Sequence, residues 1–238
     1  MAIGITERGD AGLDTDWFDW VRKGKPAILL SKNPCKLCDN IKLFDKPNVI
    51  AHATITGYGS TILEPNVMPV EEAMKGVQCL KDVLGQERVT IRVDPVIPTE
   101  RGIETAVNVV RLAQEIGRFR IRVSFIDYYE HVKYRFQQED ISLPWDTFHA
   151  PLEFRQKALL AIQREAKTTV EICGEPDFKC TGCVSAKDCE ILGQGFKHSF
   201  ARQRPKTCAC ISLKTELLKH RDRCPHKCLY CFWKDQAR

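Results

Sequence analysis

The sequence predicts an α/β protein with a parallel sheet, followed by a cysteine-rich segment that folds around metal. Three observations predict it. Short β-branched segments alternate with amphipathic helical stripes over residues 1–173. Those strands are half polar, where a parallel strand buried on both faces should be apolar throughout. Residues 174–238 are poor in apolar residues and rich in thiols.

In order, residues 14–23 read as a short first helix and Ala27–Ser31 as the first strand. Residues 34–47, opened and closed by proline, read as a loop, and 49–56 as a β-branched strand. Pro69 and Gly85 bracket a helix over Val70–Leu84, with Val70, Met74, Val77, Leu80 and Leu84 on one stripe. Strand 89–93 follows. Ile103, Val107, Val110, Ala113 and Ile116 then repeat the helical stripe, which Gly117 ends. After strand 120–126, Pro151 opens a helix carrying Leu152, Leu159, Ile162 and Ala166, and 168–172 forms the next strand. Residues 208–213 read as one more strand and 217–219 as a helical turn.

Alternation across the strands puts His52, Thr54 and Thr56 on one face and Ala51, Ala53 and Ile55 on the other. In the same way Arg92 and Asp94 oppose Val89, Ile91 and Val93, Arg122 and Ser124 oppose Ile121, Val123 and Phe125, and Glu171 and Cys173 oppose Val170 and Ile172. A barrel accounts for this, with one face on outer helices and the other lining a polar lumen. The competing account is an antiparallel sheet with a wet face, against which the intervening helices count. The expected division is 1–173 as α/β barrel body and 174–238 as an iron–sulfur segment completing its mouth.

At 238 residues with 43% hydrophobic content, the chain can bury a real core. No apolar run approaches the roughly 18 residues of a membrane span, and the N-terminus lacks the pattern of a secretory signal. The expected compartment is the cytoplasm, where thiols stay reduced and twelve cysteines serve as metal ligands before disulfides. The net charge of +5 is uneven. Residues 1–173 hold 23 Lys and Arg against 24 Asp and Glu, whereas residues 174–238 hold 13 against 7. That tail suits either a nucleic-acid partner or the compensation of an anionic thiolate cluster.

Near the end stands Cys224-Pro-His-Lys-Cys228-Leu-Tyr-Cys231, a C-x3-C-x2-C claw of soft ligands with an aromatic before the last thiol. Three thiolates on a [4Fe–4S] cube leave one iron open for chemistry. The alternatives are a zinc knuckle completed by Cys208, Cys210 or His226, and a disulfide or inert thiols. Cys173, Cys180, Cys183, Cys189, Cys208 and Cys210 are enough for a second iron–sulfur cluster, for zinc, or for free thiols. Cys35-x2-Cys38 is a half-site that could join them, and Cys79 reads as inert helix packing.

This claw is similar to the signature of the radical S-adenosylmethionine (SAM) superfamily. With Ser31-Lys-Asn-Pro34, Thr54-Ile-Thr-Gly-Tyr58, Glu64-Pro65, Arg92-Val-Asp-Pro-Val96, Ser124-Phe-Ile-Asp-Tyr128 and Cys208-Ala-Cys210, the chain resembles a bacterial and phage family of radical-SAM-like proteins. That family has a C-terminal cysteine cluster and is distantly similar to spore photoproduct lyase. The chain departs from it in Cys35-x2-Cys38, Cys180, Cys189 and the segment around Glu7-Arg-Gly-Asp10. The resemblance implies a partial TIM-like barrel, circularly permuted so that the cluster motif is C-terminal. It implies a [4Fe–4S] cluster on Cys224, Cys228 and Cys231, SAM on its open iron, and an electron donor of flavodoxin or ferredoxin type. The implied reaction is hydrogen abstraction by a 5′-deoxyadenosyl radical, followed by rearrangement of a nucleobase or modified nucleotide. Other expected classes are an enzyme acting on a peptide or small metabolite, and a non-catalytic metal protein that binds nucleic acid.

For the cofactor, the candidates are Tyr230, Thr54, Arg92, Asp94, Ser124 and Asp127. Arg92 suits the SAM carboxylate and Asp94 its amino group or a ribose hydroxyl; the blander reading is a mutual ion pair bracing the rim. For the substrate, the candidates are Lys32, Asn33 and Glu64, of which Lys32 and Asn33 could be only loop chemistry before Pro34. His52 faces the lumen by pattern and reads as a satisfied core group.

Overall fold

The computed structural model describes residues 2–194, 209–210, 214–219 and 224–233. The elements run β1 (Ile3–Ile5), α1 (Phe18–Arg22), β2 (Ala27–Ser31), α2 (Pro34–Ile41), β3 (Val49–Thr54), α3 (Val70–Leu84), β4 (Val89–Val96) and α4 (Glu100–Ile116). They continue with β5 (Arg120–Phe125), α5 (Glu130–Gln138), α6 (Leu152–Glu165), β6 (Val170–Ile172), α7 (Ala186–Ile191) and β7 (Lys214–Glu216).

Among the described residues the strands form one seven-stranded sheet in the order β6-β5-β4-β3-β2-β1-β7, with every pair parallel. From β1 to β6 each strand lies beside its successor in the chain. Right-handed crossovers that always step in one direction place the connecting helices on one face. The core shows this. Ala51, Ala53, Ile91, Val93, Ile121, Val123 and Ile172 pack with Leu37 of α2, Val77 and Leu80 of α3, Val109 and Val110 of α4, and Ile162 of α6.

The opposite, inner face carries the polar residues that alternation assigns to it. Its lower part is apolar, with Ile3, Ile5, Ile28, Leu30 and Ile50 packing against Val184, Cys189 and Leu192 around α7. The segment beyond β6 thus supplies apolar side chains to the inner face as well as thiols. Ser185 caps α7, accepting from the Asp188 amide at 3.2 Å while Asp188 accepts from the Ser185 amide at 2.8 Å.

Above this layer the inner face is ionic. Arg122 Nε donates to Glu171 Oε2 at 2.8 Å, its Nη2 reaches Asp188 Oδ2 at 3.2 Å, and its Nη1 donates to the Cys183 carbonyl at 2.9 Å. Arg120 pairs with Asp188 at 2.8 Å. Burial alone would raise the Asp188 carboxyl, but the Arg122 and Arg120 charges and the Ser185 amide outweigh it and hold it well below the usual range. His52 is buried with no hydrogen bond to Nε2 among the described residues, so it is not the satisfied core group expected. Burial and the Arg122 charge push its pKa well down, leaving it neutral.

Several element assignments change. Residues 34–41, read as loop, form α2. Asn33 accepts from the Lys36 amide at 3.0 Å and Pro34 occupies the first turn, so the supposed loop punctuation is a helix start. The last strand lies at Lys214–Glu216, and residues 217–219 are not helical; the Leu217 amide instead donates to the Ile5 carbonyl at 2.9 Å. Cys208 and residues 211–213 lie outside the described residues. Cys38 and Cys79 form a disulfide across α2 and α3, with Cα atoms 6.2 Å apart. Cys38 therefore belongs to the helix layer and is removed from the candidate metal ligands, and Cys79 is not inert packing.

We expect Asp188→Asn to cost about 3 to 5 kcal/mol, because it leaves buried guanidinium charge uncompensated; urea unfolding measures it. A depressed folded pKa gives stability that is present above the unfolded value of 3.8 and lost as pH falls below it. The acid limb of a stability–pH curve should therefore shrink in Asp188→Asn. A variant with wild-type midpoint and acid limb would show that the network does not brace the inner face.

Candidate metal and cofactor site

The C-terminal claw sits where the strands end, held there by residues that follow β1, β2 and β3. Asp10, after β1, is buried. Its Oδ1 accepts from Ser31 Oγ and from the Gly12 amide (2.8 Å), and its Oδ2 accepts from the Lys32 amide (2.8 Å). The same Oδ2 meets His226 Nε2 of the claw at 2.6 Å. Burial would raise the Asp10 carboxyl, yet the bond and charge of His226 and the bonds from Ser31 and Lys32 keep it below the usual range.

A second buried contact forms around Glu64. Lys32 Nζ donates to Glu64 Oε1 at 2.6 Å and to the Tyr230 hydroxyl at 2.9 Å, and Tyr230 itself donates to Glu64. Thr56 Oγ1 donates to Glu64 Oε2 at 2.7 Å. The Lys32 ammonium also lies 5.3 Å from the centre of the Tyr230 ring. Glu64 is 1% exposed and is held below its ordinary pKa against the effect of burial, first by Lys32 and then by Tyr230 and Thr56.

Backbone contacts complete the docking. The Leu229 amide donates to the Leu63 carbonyl at 3.0 Å, Asn66 Nδ2 to the Pro225 carbonyl at 2.7 Å, and Arg135 of α5 to the carbonyls of Cys231 (2.7 Å) and Trp233 (2.6 Å). Cys228 and Tyr230 pack with Tyr58, Val67, Ile97, Tyr128, Val132 and Phe136 in a cluster separate from the main core.

The three thiols share one electrostatic environment. Burial pushes Cys224 up to about 11 and Cys228 to about 12; the Cys231 thiol adds to both, and Lys32 opposes both. Without metal the Cys224 and Cys228 thiols are protonated, and a bound metal would have to displace those protons. The donor set is soft and fits an iron–sulfur cluster, in which each thiolate serves its own iron. Among the described residues no three His, Cys, Asp or Glu side chains converge on a single-ion position.

The other candidates divide. Thr54 is buried beside Arg92 in register on the inner face. Arg92 is ion-paired with Asp94, and Asp94 accepts from Ser124 Oγ, so these three form one polar group above the Arg122 layer. Asp127 turns toward the 148–150 segment, with His149 Nδ1 at 3.1 Å. Asn33 uses its side-chain oxygen as the α2 cap, the loop role weighed against a substrate role. Lys32 and Glu64 are engaged with the claw itself. The six downstream cysteines do not form one set. Cys189 packs in the apolar inner layer, Cys180 exchanges hydrogen bonds with the Glu175 backbone at 3.2 Å, and Cys208 lies outside the described residues. Cys173, Cys183 and Cys210 come together.

Asp10, Thr56, His226 and Arg135 carry the docking without having been picked out for it. Asp10 sat in a segment with no strand signal, and Arg135 on a helix whose stripe is only Val132 and Phe136.

Residues 23–233 match the family described as a domain of unknown function, DUF1848, and the chain belongs to that family. No curated protein and no solved structure matches the chain.

Arg135→Ala should speed amide exchange of residues 224–233 roughly tenfold, since charged donors to two claw carbonyls are lost. Exchange at the wild-type rate would show that α5 does not hold the claw.

Proposed function

We propose that this member of the DUF1848 family is a radical SAM enzyme on a partial, circularly permuted β/α barrel. The observation that carries the reading is the docking of Cys224, Cys228 and Cys231 over the carboxyl ends of parallel strands whose inner face is polar. Active sites of β/α barrels stand at that end. The connectivity supports the permutation. In space β7 precedes β1, and the claw follows β7 in the chain. Read in spatial order, the cysteine motif therefore comes after the first strand.

Cys224, Cys228 and Cys231 would hold a [4Fe–4S] cluster. Bound together with SAM, it supplies a 5′-deoxyadenosyl radical that takes hydrogen from an unreactive C–H bond. The protein's part is position and exclusion of water. His226 on Asp10 fixes the first half of the claw, and Tyr230 on Lys32 and Glu64 fixes the second. Lys32 places positive charge beside Cys228, offsetting the negative charge of thiolate ligands. Arg92, with Asp94 and Ser124, offers a guanidinium and a carboxylate to the carboxylate and amino groups of an amino-acid ligand. Thr54 lies in register beside Arg92. Tyr58, Ile97 and Tyr128 supply an apolar wall.

For substrate we propose a nucleobase, in DNA or as a modified nucleotide, that undergoes rearrangement after hydrogen abstraction. The support is the positive excess of residues 174–238 and the likeness to a lyase that acts on thymine lesions. The electron would come from a flavodoxin- or ferredoxin-like donor. No helix of the described residues is long and apolar enough to cross a membrane.

Anaerobically reconstituted protein should absorb near 400 nm, bind about four irons at the claw, and release 5′-deoxyadenosine with dithionite and SAM; Cys228→Ala should release none. Iron-free zinc protein, or intact protein that leaves SAM uncleaved, would end the reading. Arg92→Ala should weaken SAM binding about tenfold or more with the fold intact, measured by equilibrium dialysis; unchanged affinity would remove Arg92 from the SAM site. Binding to duplex DNA should fall steeply with added salt, and no binding at low salt would remove the DNA substrate.

A further inference from the structure

Cys173, Cys183 and Cys210 come from three separate stretches of chain and meet beside the polar inner face. Cys173 Sγ lies 3.1 Å from Cys183 Sγ. The Cys183 amide donates to Cys210 Sγ at 3.3 Å. Their backbones are anchored apart from one another. The Cys173 amide donates to the Val123 carbonyl at 3.0 Å, and the Cys183 carbonyl accepts from Arg122 at 2.9 Å.

A separate feature of the backbone permits the meeting. Gly182, beside Cys183, has φ +79°, and a Cβ there would stand 2.6 Å from both the Ala209 carbonyl carbon and the Cys210 amide nitrogen. Only glycine lets the segment bearing Cys210 pass this close to Cys183. The surroundings are ionic. Arg92 and Arg122 interact electrostatically with Cys173 and Cys183, and Lys214 with Cys183 and Cys210. Each of these cations is also paired with carboxylate, Arg92 with Asp94, Arg122 with Glu171 and Asp188, and Lys214 with Glu7.

We propose that Cys173, Cys183 and Cys210 are the thiolate ligands of a second metal centre, distinct from the claw. This inference does not rest on the radical SAM reading. Cys189 and Cys180 are not part of it. The donor set is soft, and since no three such side chains among the described residues converge on a single-ion position, it takes an iron–sulfur cluster, in which each thiolate serves its own iron. Loading releases the three thiol protons to solvent as the metal–sulfur bonds form. The cluster arrives preformed from a thiolate carrier: its bonds to the carrier break as the three new iron–sulfur bonds form, the departing thiolates take up protons, and the irons keep their oxidation state.

The test uses the full chain, prepared anaerobically, with iron, zinc and acid-labile sulfide counted per chain. A variant with Cys224, Cys228 and Cys231 all changed to Ala should keep one metal centre. Visible absorption near 400 nm with iron and acid-labile sulfide supports the site, and zinc in a colourless protein overturns it. Adding Cys183→Ser should remove that metal. Because the claw-less chain could misfold, two single variants, Cys183→Ser and Gly182→Ala, are made in the intact background, with circular dichroism and thermal midpoint as controls. Each should lose the second centre's share of metal while the claw's share stays. Folded claw-less protein without metal overturns the proposal. So does Cys183→Ser with undiminished metal, or a Cys173–Cys183 disulfide in the anaerobically isolated chain.

Discussion

Every strand of this sheet faces two environments at once, and that constraint organises the rest. With crossovers from β1 to β6 always stepping the same way, α2, α3, α4 and α6 fall on one face, and alternate strand residues must be apolar to meet them. The other residues are left to an inner face that these helices do not cover. Here that face carries arginine, glutamate, aspartate and thiols, so its charges must be balanced within the protein. Arg122, Glu171, Asp188 and Arg120 provide that balance. Asp188 comes from the segment beyond β6, which ties the C-terminal third of the chain to the body.

The same constraint explains why polar side chains collect at one edge of the sheet. Parallel strands place all their carboxyl ends together, so the residues after each strand reach the same edge. Asp10, Lys32, Glu64 and Asp127 follow strands in this way, and Asp94 lies near the carboxyl end of β4. The claw is fastened to three of these residues, Asp10, Lys32 and Glu64, through two side chains of different character. His226 seeks a carboxylate, and Tyr230 seeks a carboxylate and an ammonium. Both contacts are buried, where a hydrogen bond to a charged partner counts for more than at the surface. The claw is thereby positioned by the body and does not hang from it as a free appendage.

Two populations of thiol follow from this layout. The claw cysteines stand over the strand ends against an aromatic cluster. Cys173, Cys183 and Cys210 stand beside the ionic part of the inner face. Cys38 and Cys79 lie apart from both, in the helix layer, where proximity of two packed helices has joined them. Equal residue type therefore conceals three different environments, and only their neighbours distinguish them.

Much of this was legible in the residues. The inner and outer faces of β3, β4 and β5 could be read from alternation, since period two is a local property. The long helices α3, α4 and α6 could be read from their stripes and from Pro69, Gly85, Gly117 and Pro151. The claw could be read from spacing alone. What the residues could not disclose was partnership. Asn33-Pro34 signals a helix start and a loop equally well until Leu37 and Ile41 find a core. Three-residue strands such as β1 and β7 carry too little pattern to be seen before they pair. Asp10 and His226 are 216 positions apart, and Cys173, Cys183 and Cys210 are sorted from Cys180 and Cys189 only by which backbone passes near which. Local periodicity is written into the chain, whereas contacts between distant segments exist only once the sheet has brought its strand ends to one place.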